Sequence, residues 1–196
     1  PPTWLRRQRQ MCIRDRNIID EANKNLYDGV TEEDARTSLV MTSRTLVEQE
    51  PNYTYVTARI LLDNIRTEAL TYLGMQKQAT QKEMENLYPQ ALRNFLAKGV
   101  ENEILNPELL EMDIEKLGEA INATRDTNFT YLGLQTLYDR YFIHDTEVRY
   151  ELPQVFFMRV SMGLALNEEK REERAIEFYN LLSSFDYMSS TPTLFN

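Results

Sequence analysis

The most apolar run of this sequence is LPQVFFMRVSMGLAL, which occupies residues 152–166. Pro153 suits the first turn of a helix, because the N–H group that proline lacks would have no intrahelical partner there. From Val155 to Leu166 the run is apolar on nearly every side. It therefore predicts a buried helix rather than one that shows a polar face to solvent.

The segments on either side of this run predict a hairpin, a second helix and a strand. Residues 140–152 alternate apolar and polar positions around Asp145-Thr146, which is typical of a β-hairpin. Residues 167–185 begin with charged turns and continue with an apolar stripe at helical spacing. The final residues, SSTPTLFN at 189–196, place apolar residues after a proline and predict the first strand of a sheet or barrel.

The N-terminal part of the sequence predicts further helices. Residues 17–27 have the pattern of a helix end followed by the turn Asp28-Gly29, and Thr31 is an N-cap candidate for the helix after it. Tyr53 to Met75 repeats the apolar spacing of a helix, and the polar residues 76–83 suggest a domain boundary. Three more helices are predicted, at Met84–Lys98 with Gly99 as its end, at Ile114–Ile121 and at Thr127–Tyr138.

The composition excludes several classes of protein. The 196 residues carry a formal net charge of −9 with no basic stripe beyond residue 16, which argues against general nucleic-acid binding. The longest apolar runs fall short of a membrane-spanning helix, and there is no secretory leader pattern. The single cysteine, Cys12, and the single histidine, His144, exclude a disulfide framework and a Cys- or His-rich metal site. These features are typical of a cytoplasmic, mainly helical protein.

Residues 1–16 differ from the rest, with five arginines and one aspartate. Their net charge of +4 leaves −13 on residues 17–196. The run RRQRQMCIRD at 6–15 resembles one reading frame of a transposase-derived sequencing adapter. We therefore interpret residues 1–16 as an assembly artefact rather than as native protein. The alternative is a genuine basic arm.

Motifs that carry chemistry are scarce. The sequence has no glycine-rich dinucleotide fingerprint and no phosphate-binding loop. His144 could act as a general base, although its place in the predicted hairpin favours a surface residue. The carboxylates cluster at predicted helix starts, where the helix dipole accounts for them, and no Glu-x-x-His motif accompanies them. No metal ligands are therefore predicted.

Three long segments carry a family resemblance. They are LQTLYDRYFI at 134–143, RYELPQVFFMRVSMGLALNE at 149–168 and RAIEFYNLLSSFDYMSSTPTLFN at 174–196. Together they resemble the large, catalytic subunit of class I ribonucleoside-diphosphate reductase. The earlier segment PNYTYVTARILLDNIR at 51–66 resembles the last helix of that subunit's ATP-cone. The resemblance extends over residues 17–196.

The resemblance implies a mainly α fold with four segments. Residues 1–16 are excluded as an artefact, and residues 17–76 correspond to the C-terminal part of an ATP-cone. Residues 77–187 correspond to the helical N-terminal domain of the large subunit, with its hairpin near 140–152. Residues 188–196 correspond to the start of the ten-stranded α/β barrel, cut at its first strand.

The resemblance also assigns three candidate site residues. Thr193 matches a threonine that helps to line the substrate diphosphate pocket. Thr31 matches a residue near the regulatory nucleotide, and Arg66 takes the place of a basic residue near the end of the last cone helix. The neighbouring Thr67 departs from the family pattern, and the first half of the cone is missing, so the resemblance implies a nucleotide site that is incomplete.

The implied reaction is the reduction of ribonucleoside diphosphates to 2′-deoxyribonucleoside diphosphates for DNA synthesis, through a thiyl radical. The family's radical arises at a metal centre in a separate small subunit. Thioredoxin or glutaredoxin restores the active-site thiols, large subunits form a homodimer, and ATP or dATP regulates activity. Residues 17–196 contain none of the required cysteines, so the fragment is expected to be inactive and to bind no cofactor itself. The alternative is a stand-alone acidic helical interaction module.

Overall fold

The protein is described here from a computed structural model, which describes residues 18–146 and 148–195. The adapter-like segment 1–16, with Cys12, lies outside the described residues. The structure is mainly helical with one small hairpin, which confirms the predicted fold class. The α-helices and strands are α1 (18–24), α2 (Glu32–Thr45), α3 (Tyr53–Tyr72), α4 (Gln81–Glu101), α5 (Ile114–Glu119), α6 (Tyr131–Arg140), β1 (His144–Asp145), β2 (Val148–Arg149), α7 (Pro153–Ala165), α8 (Arg171–Ser183) and α9 (Thr191–Leu194). Short 3₁₀ turns occupy Leu46–Glu48, Pro107–Glu111 and Ala123–Asn128.

Polar side chains cap the starts of α2, α4, α5 and α6. Thr31 accepts a hydrogen bond from the Asp34 backbone N–H of α2 at 3.1 Å, as its sequence position predicts. Thr80 and Glu83 form a reciprocal capping box at the start of α4. The bonds from the Thr80 hydroxyl and backbone N–H lower the pKa of the Glu83 carboxyl. These caps define where α2 and α4 begin.

Helix α7 lies at the centre of the core. Every residue from Pro153 to Met162 is buried, which confirms the all-round burial predicted from its apolar run. Helix α8 packs along α7, and α4 packs on another side of it. Phe157 of α7 stacks with Phe129 and meets the edge of Phe185, with ring centroids 6.2 and 6.0 Å apart. Aromatic contacts of this kind add specific geometry to the burial of apolar area.

One cluster of buried apolar side chains extends from Val40 in α2 to Leu194 in α9. Helix α3 packs against α2 on one side and against α6 on another. The four-segment division of the chain stays a prediction. Within the described residues, no helix is both long and apolar enough to cross a membrane.

The strand predicted from SSTPTLFN at 189–196 is wrong for the described residues 189–195. Residues 191–194 form a short helix, with Ser190 in extended conformation at its start and Pro192 in its first turn. A Ser-Thr-Pro sequence suits a helix start as well as a strand, since proline loses no hydrogen bond in the first turn. A strand would need a neighbour, and the two strands among the described residues, β1 and β2, pair with each other. The assignment of 188–196 to a barrel stays a prediction.

The predicted end of α4 at Gly99 is also wrong, because the helix continues to Glu101. The role of Gly99 is to give room to a neighbour. A Cβ atom at this position would lie 2.4 Å from Cδ1 and 2.7 Å from Cγ of Leu105. The missing side chain therefore lets the segment after α4 fold back against the helix.

We predict that Gly99→Ala lowers the free energy of unfolding by about 1–3 kcal/mol, since overpacking forces a buried neighbour to move. Chemical denaturation monitored by circular dichroism measures the change. The matched control is the same substitution in a Leu105→Ala background, where the clashing atoms are gone and the penalty should shrink. An equal penalty in both backgrounds would contradict the steric explanation.

Candidate functional site

The predicted effector residue Thr31 lies at the exposed start of α2. Its hydroxyl accepts from the Asp34 N–H and donates to the Asp34 carboxylate at 2.8 Å. Both bonds stay within the first turn of the helix. The observed role of Thr31 is therefore that of an N-cap.

The predicted effector residue Arg66 is buried, with 5% of its surface exposed. Its Nη2 lies 2.7 Å from Oδ2 of Asp126 and also donates to Gln81 Oε1. These partners lie in the 3₁₀ turn 123–128 and in α4, so the guanidinium points into the protein interior rather than to a surface site.

Whereas Arg66 points into the interior, Arg36 forms ion pairs between α2 and α3. Its Nη1 lies 2.8 Å from Oδ2 of Asp63 and its Nη2 lies 3.1 Å from Oε1 of Glu32. The same Nη1 is 3.5 Å from the Thr67 hydroxyl. Arg36 was not among the site residues predicted from the sequence, although the Glu32–Arg36 spacing of four residues is that of an ion pair on one helix face.

Asp126 is the centre of a buried polar network. Its Oδ2 accepts from Arg66 and from the Tyr88 hydroxyl at 2.8 Å, and its Oδ1 accepts from Gln154 Nε2 at 2.9 Å. The Tyr179 hydroxyl donates to Gln154 Oε1 at 2.8 Å. We refer to Arg66, Tyr88, Asp126, Gln154 and Tyr179 as the Asp126 hub. It joins α3, α4, the 123–128 turn, α7 and α8.

The electrostatics of the hub reflect its burial. Burial raises the pKa of the Asp126 carboxyl, while the Arg66 charge and the bonds from Arg66, Gln154 and Tyr88 act in the opposite direction. Burial, together with the Asp126 charge, raises the pKa of the Tyr88 hydroxyl. Since the Asp126 side chain has 0% exposure, no solute can reach the carboxylate. The hub serves to hold helices together rather than to do chemistry.

A second buried ion pair lies where the hairpin meets α7. Arg159 Nε is 2.7 Å from Glu151 Oε1, and the other carboxylate oxygen accepts the Ile143 N–H at 2.9 Å. The Arg159 guanidinium also lies over the Phe156 ring, 5.3 Å from its centroid. This pair fixes the chain that enters the hairpin to the start of α7.

Arg159 also lines a cavity of about 580 Å³. Its walls come from the 104–109 segment, the 139–144 segment, α7 and Phe195. His144 lies in β1, is exposed and faces this cavity, so it is a surface residue. No group of three or more His, Cys, Asp or Glu residues in the described part of the chain is arranged to hold a metal ion.

The predicted substrate residue Thr193 lies in α9 and is partly buried. Its N–H donates to the Ser190 carbonyl at 3.0 Å. Tyr141 contacts Thr191 and Phe195, which lie two positions before and after Thr193. The Tyr141 hydroxyl is 3.0 Å from Thr191 Oγ1, and the centroid of the Tyr141 ring is 5.2 Å from that of Phe195. Leu194 anchors the turn in the core.

Within the described residues, no hydrogen bond joins any two of Thr31, Arg66 and Thr193. The polar residues with the most developed surroundings were not selected from sequence: Tyr88, Asp126, Glu151 and Arg159. The sequence did contain a signal for two residues of these networks. Gln154 and Arg159 are polar residues inside an almost wholly apolar helix, and a buried polar group requires a partner.

We predict that Arg66→Met lowers the free energy of unfolding by about 3–5 kcal/mol, because it leaves the Asp126 carboxylate buried without its cation. Urea denaturation at neutral pH measures the change. Arg93→Met is the control, since its pair with Glu115 is exposed and its loss should leave stability close to that of the unmodified chain. Arg66→Met with Asp126→Asn should cost less than the sum of the two single substitutions. If the losses in the free energy of unfolding for the two single substitutions simply add in the double variant, Arg66 and Asp126 are not coupled and the prediction is wrong.

Comparison with known proteins shows a family. The model of the family described as "Ribonucleotide reductase, all-alpha domain" matches residues 127–196. The "Ribonucleoside-diphosphate reductase subunit alpha" of Chlamydia muridarum is 42% identical over 180 residues, which cover 91% of this chain and 17% of that protein. The subunit of the same name from Helicobacter pylori is 32% identical over 178 residues, covering 90% of this chain and 21% of the relative.

Relatives outside the bacteria are similar as well. The "Ribonucleoside-diphosphate reductase large subunit" of Danio rerio is 31% identical over 175 residues, covering 88% of this chain and 20% of the relative. The chain thus spans about a fifth or less of the length of these relatives. The chain belongs to the ribonucleotide reductase large-subunit family and represents a fragment of such a subunit.

Proposed function

We propose that this chain is part of a class I large subunit that reduces ribonucleoside diphosphates to 2′-deoxyribonucleoside diphosphates for DNA synthesis. The observation that carries the proposal is the 42% identity over 91% of the chain to a protein named for that reaction. The helical fold around α7 agrees with the all-α description of the matching family.

The remaining parts of the reaction belong to other components of the proposed enzyme. A separate small subunit supplies a radical from its metal centre, and thioredoxin or glutaredoxin restores the active-site thiols. The proposal includes a homodimer of large subunits in the cytoplasm and regulation by ATP or dATP. The 196-residue chain has one cysteine, Cys12, and a thiyl mechanism needs several. The isolated chain is therefore proposed to be inactive.

Thr193 is the proposed contact to the substrate diphosphate. Its turn lies beside the cavity that Phe195 lines, and Tyr141 and Leu194 hold that turn in place. A threonine offers a backbone N–H and a hydroxyl, which are both suitable donors to phosphate oxygens. In this structure the N–H donates to Ser190, so the hydroxyl is the donor that the proposal assigns to the diphosphate.

Thr31 and Arg66 remain the proposed residues near a regulatory nucleotide, in different roles. Thr31 is exposed at the N-terminus of α2, where it caps a first turn that carries Glu32, Glu33 and Asp34, so the proposal places it near the nucleotide rather than on a phosphate. Arg66 is held by Asp126 and Gln81, so it would support such a site by fixing α3 rather than by touching the nucleotide.

The proposed segments are residues 17–76 as the C-terminal part of an ATP-cone, 77–187 as the helical domain and 188–196 as the barrel start.

Residues 1–16 are proposed to be translated adapter. The relatives leave about a tenth of the chain unmatched, which is close to the share of these residues. Source nucleotides that depart from the adapter at synonymous positions would overturn this interpretation.

We predict that Thr193→Val in the full-length subunit raises KM for ribonucleoside diphosphates about 10- to 100-fold, the effect of losing a hydrogen bond to a charged group. Steady-state reduction assays with the small subunit measure the change. Thr71→Val is the control, since its exposed hydroxyl bonds to the Thr67 carbonyl within α3 and takes no part in the proposed substrate contact. An unchanged KM for Thr193→Val would remove Thr193 from the site.

We predict that the isolated 196-residue chain neither turns over a ribonucleoside diphosphate nor binds dATP at micromolar concentration. The reason is that residues 17–196 contain no cysteine and that the proposal assigns residues 17–76 to only the C-terminal part of an ATP-cone. Isothermal titration calorimetry with dATP, and a reductase assay with small subunit and thioredoxin, measure these properties. Micromolar dATP binding would show that the nucleotide site is complete within this chain.

A further inference from the structure

The hairpin β1–β2 is too small to hold its own shape. Its strands have two residues each, with His144 opposite Arg149 and Asp145 opposite Val148. The turn contains Thr146 with φ of 53°, a left-handed conformation that is unfavourable for a β-branched residue. An isolated two-stranded hairpin of this length is marginal in water, so contacts outside the hairpin must keep it folded.

Those contacts come from helices α3 and α6. Glu68 of α3 uses both carboxylate oxygens, since Oε1 accepts the Arg149 backbone N–H and Oε2 accepts the Tyr138 hydroxyl, each at 2.7 Å. Tyr72 of α3 donates its hydroxyl to Asp145 Oδ2 at 2.5 Å. The Arg149 guanidinium lies 4.5 Å from the centroid of the Tyr138 ring. We refer to Glu68, Tyr72, Tyr138, Asp145 and Arg149 as the hairpin clasp.

The clasp and the Asp126 hub differ in their exposure to solvent. All five clasp residues are partly exposed, whereas all five hub residues are buried. When a partly exposed hydrogen bond opens, water replaces the lost partner and the net change in free energy is small. When a hub bond opens, a carboxylate or a hydroxyl is left without a partner in the interior.

Both networks act on the same helix. Arg66 lies two residues before Glu68 on α3, and Tyr72 follows one turn later. The hairpin side of the clasp continues into Ile143 and His144, which line the 580 Å³ cavity. The clasp is therefore the connection between the C-terminal half of α3 and one wall of that cavity.

We propose that the hairpin is a releasable latch on α3, with the clasp as the part that opens and the Asp126 hub as the part that stays closed. Opening the clasp frees the described hairpin residues 144–146 and 148–149 and alters the cavity wall while α3, α4 and α7 remain packed. Binding of a partner or ligand that favours either position of the hairpin would then change the cavity without unfolding the core.

Hydrogen exchange of the 196-residue chain, read amide by amide by NMR, tests the proposal. In the unmodified chain the Val148 and Arg149 amides should exchange at least about 100-fold faster than those of Phe95 and Phe157 in the core helices. Tyr72→Phe, which removes only the hydroxyl bonded to Asp145, should speed the two hairpin amides about two- to tenfold further. The Phe95 and Phe157 amides should keep their rates.

Tyr55→Phe is the matched control, because it removes a hydroxyl from an exposed ring on the same helix and should leave the hairpin amides unchanged. Tyr138→Phe gives an independent second test of the clasp through the Glu68 bond. Hairpin amides that exchange at the rate of the core amides would overturn the latch. So would tyrosine variants that leave the hairpin rates unaltered, or that accelerate hairpin and core equally.

Discussion

The ion pair between Arg66 and Asp126 is the constraint on which the arrangement of helices depends. A carboxylate with no exposure to solvent is stable only if donors surround it. Here the donors come from α3, α4 and α7, which are separated along the chain by up to 88 residues from Arg66 to Gln154. Each helix must keep its position to within the length of a hydrogen bond. Apolar packing alone tolerates more variation than this.

The hub also gives α7 a unique rotation. This helix is buried along its first ten residues, so apolar contacts favour many rotations about its axis almost equally. Gln154 must meet Asp126 and Tyr179, while Arg159 must meet Glu151 at the base of the hairpin. The two requirements are separated by five positions, more than one turn, so together they fix both the rotation and the depth of α7. Buried polar groups can act in this way as determinants of specificity rather than of stability.

Local patterns in the sequence predicted the elements that local physics determines. The buried α7, the hairpin around residues 144–149, the Thr31 cap and the helical core of α3 all follow from periodicity, capping and proline position. The errors arose where a distant neighbour decides the outcome. Gly99 has the appearance of a helix end until Leu105 is placed against it. SSTPTLFN has the appearance of a strand, but β1 and β2, the two strands among the described residues, pair with each other, and residues 191–194 form a helix.

The candidate site was harder to predict, because a residue type does not reveal where its partner lies. Arg66 near the end of a helix is consistent with an anion ligand at the surface, and only the position of Asp126, 60 residues later, shows that its charge is used internally. The polar residues of the clasp are equally ordinary in sequence. Their importance comes from their position on α3 beside the hub, where a partly exposed set of bonds adjoins a closed one. Both the Asp126 hub and the hairpin clasp hold α3, and the hairpin can move on α3 only if one of these two networks opens before the other. The clasp opens first, because its residues are partly exposed whereas those of the hub are buried.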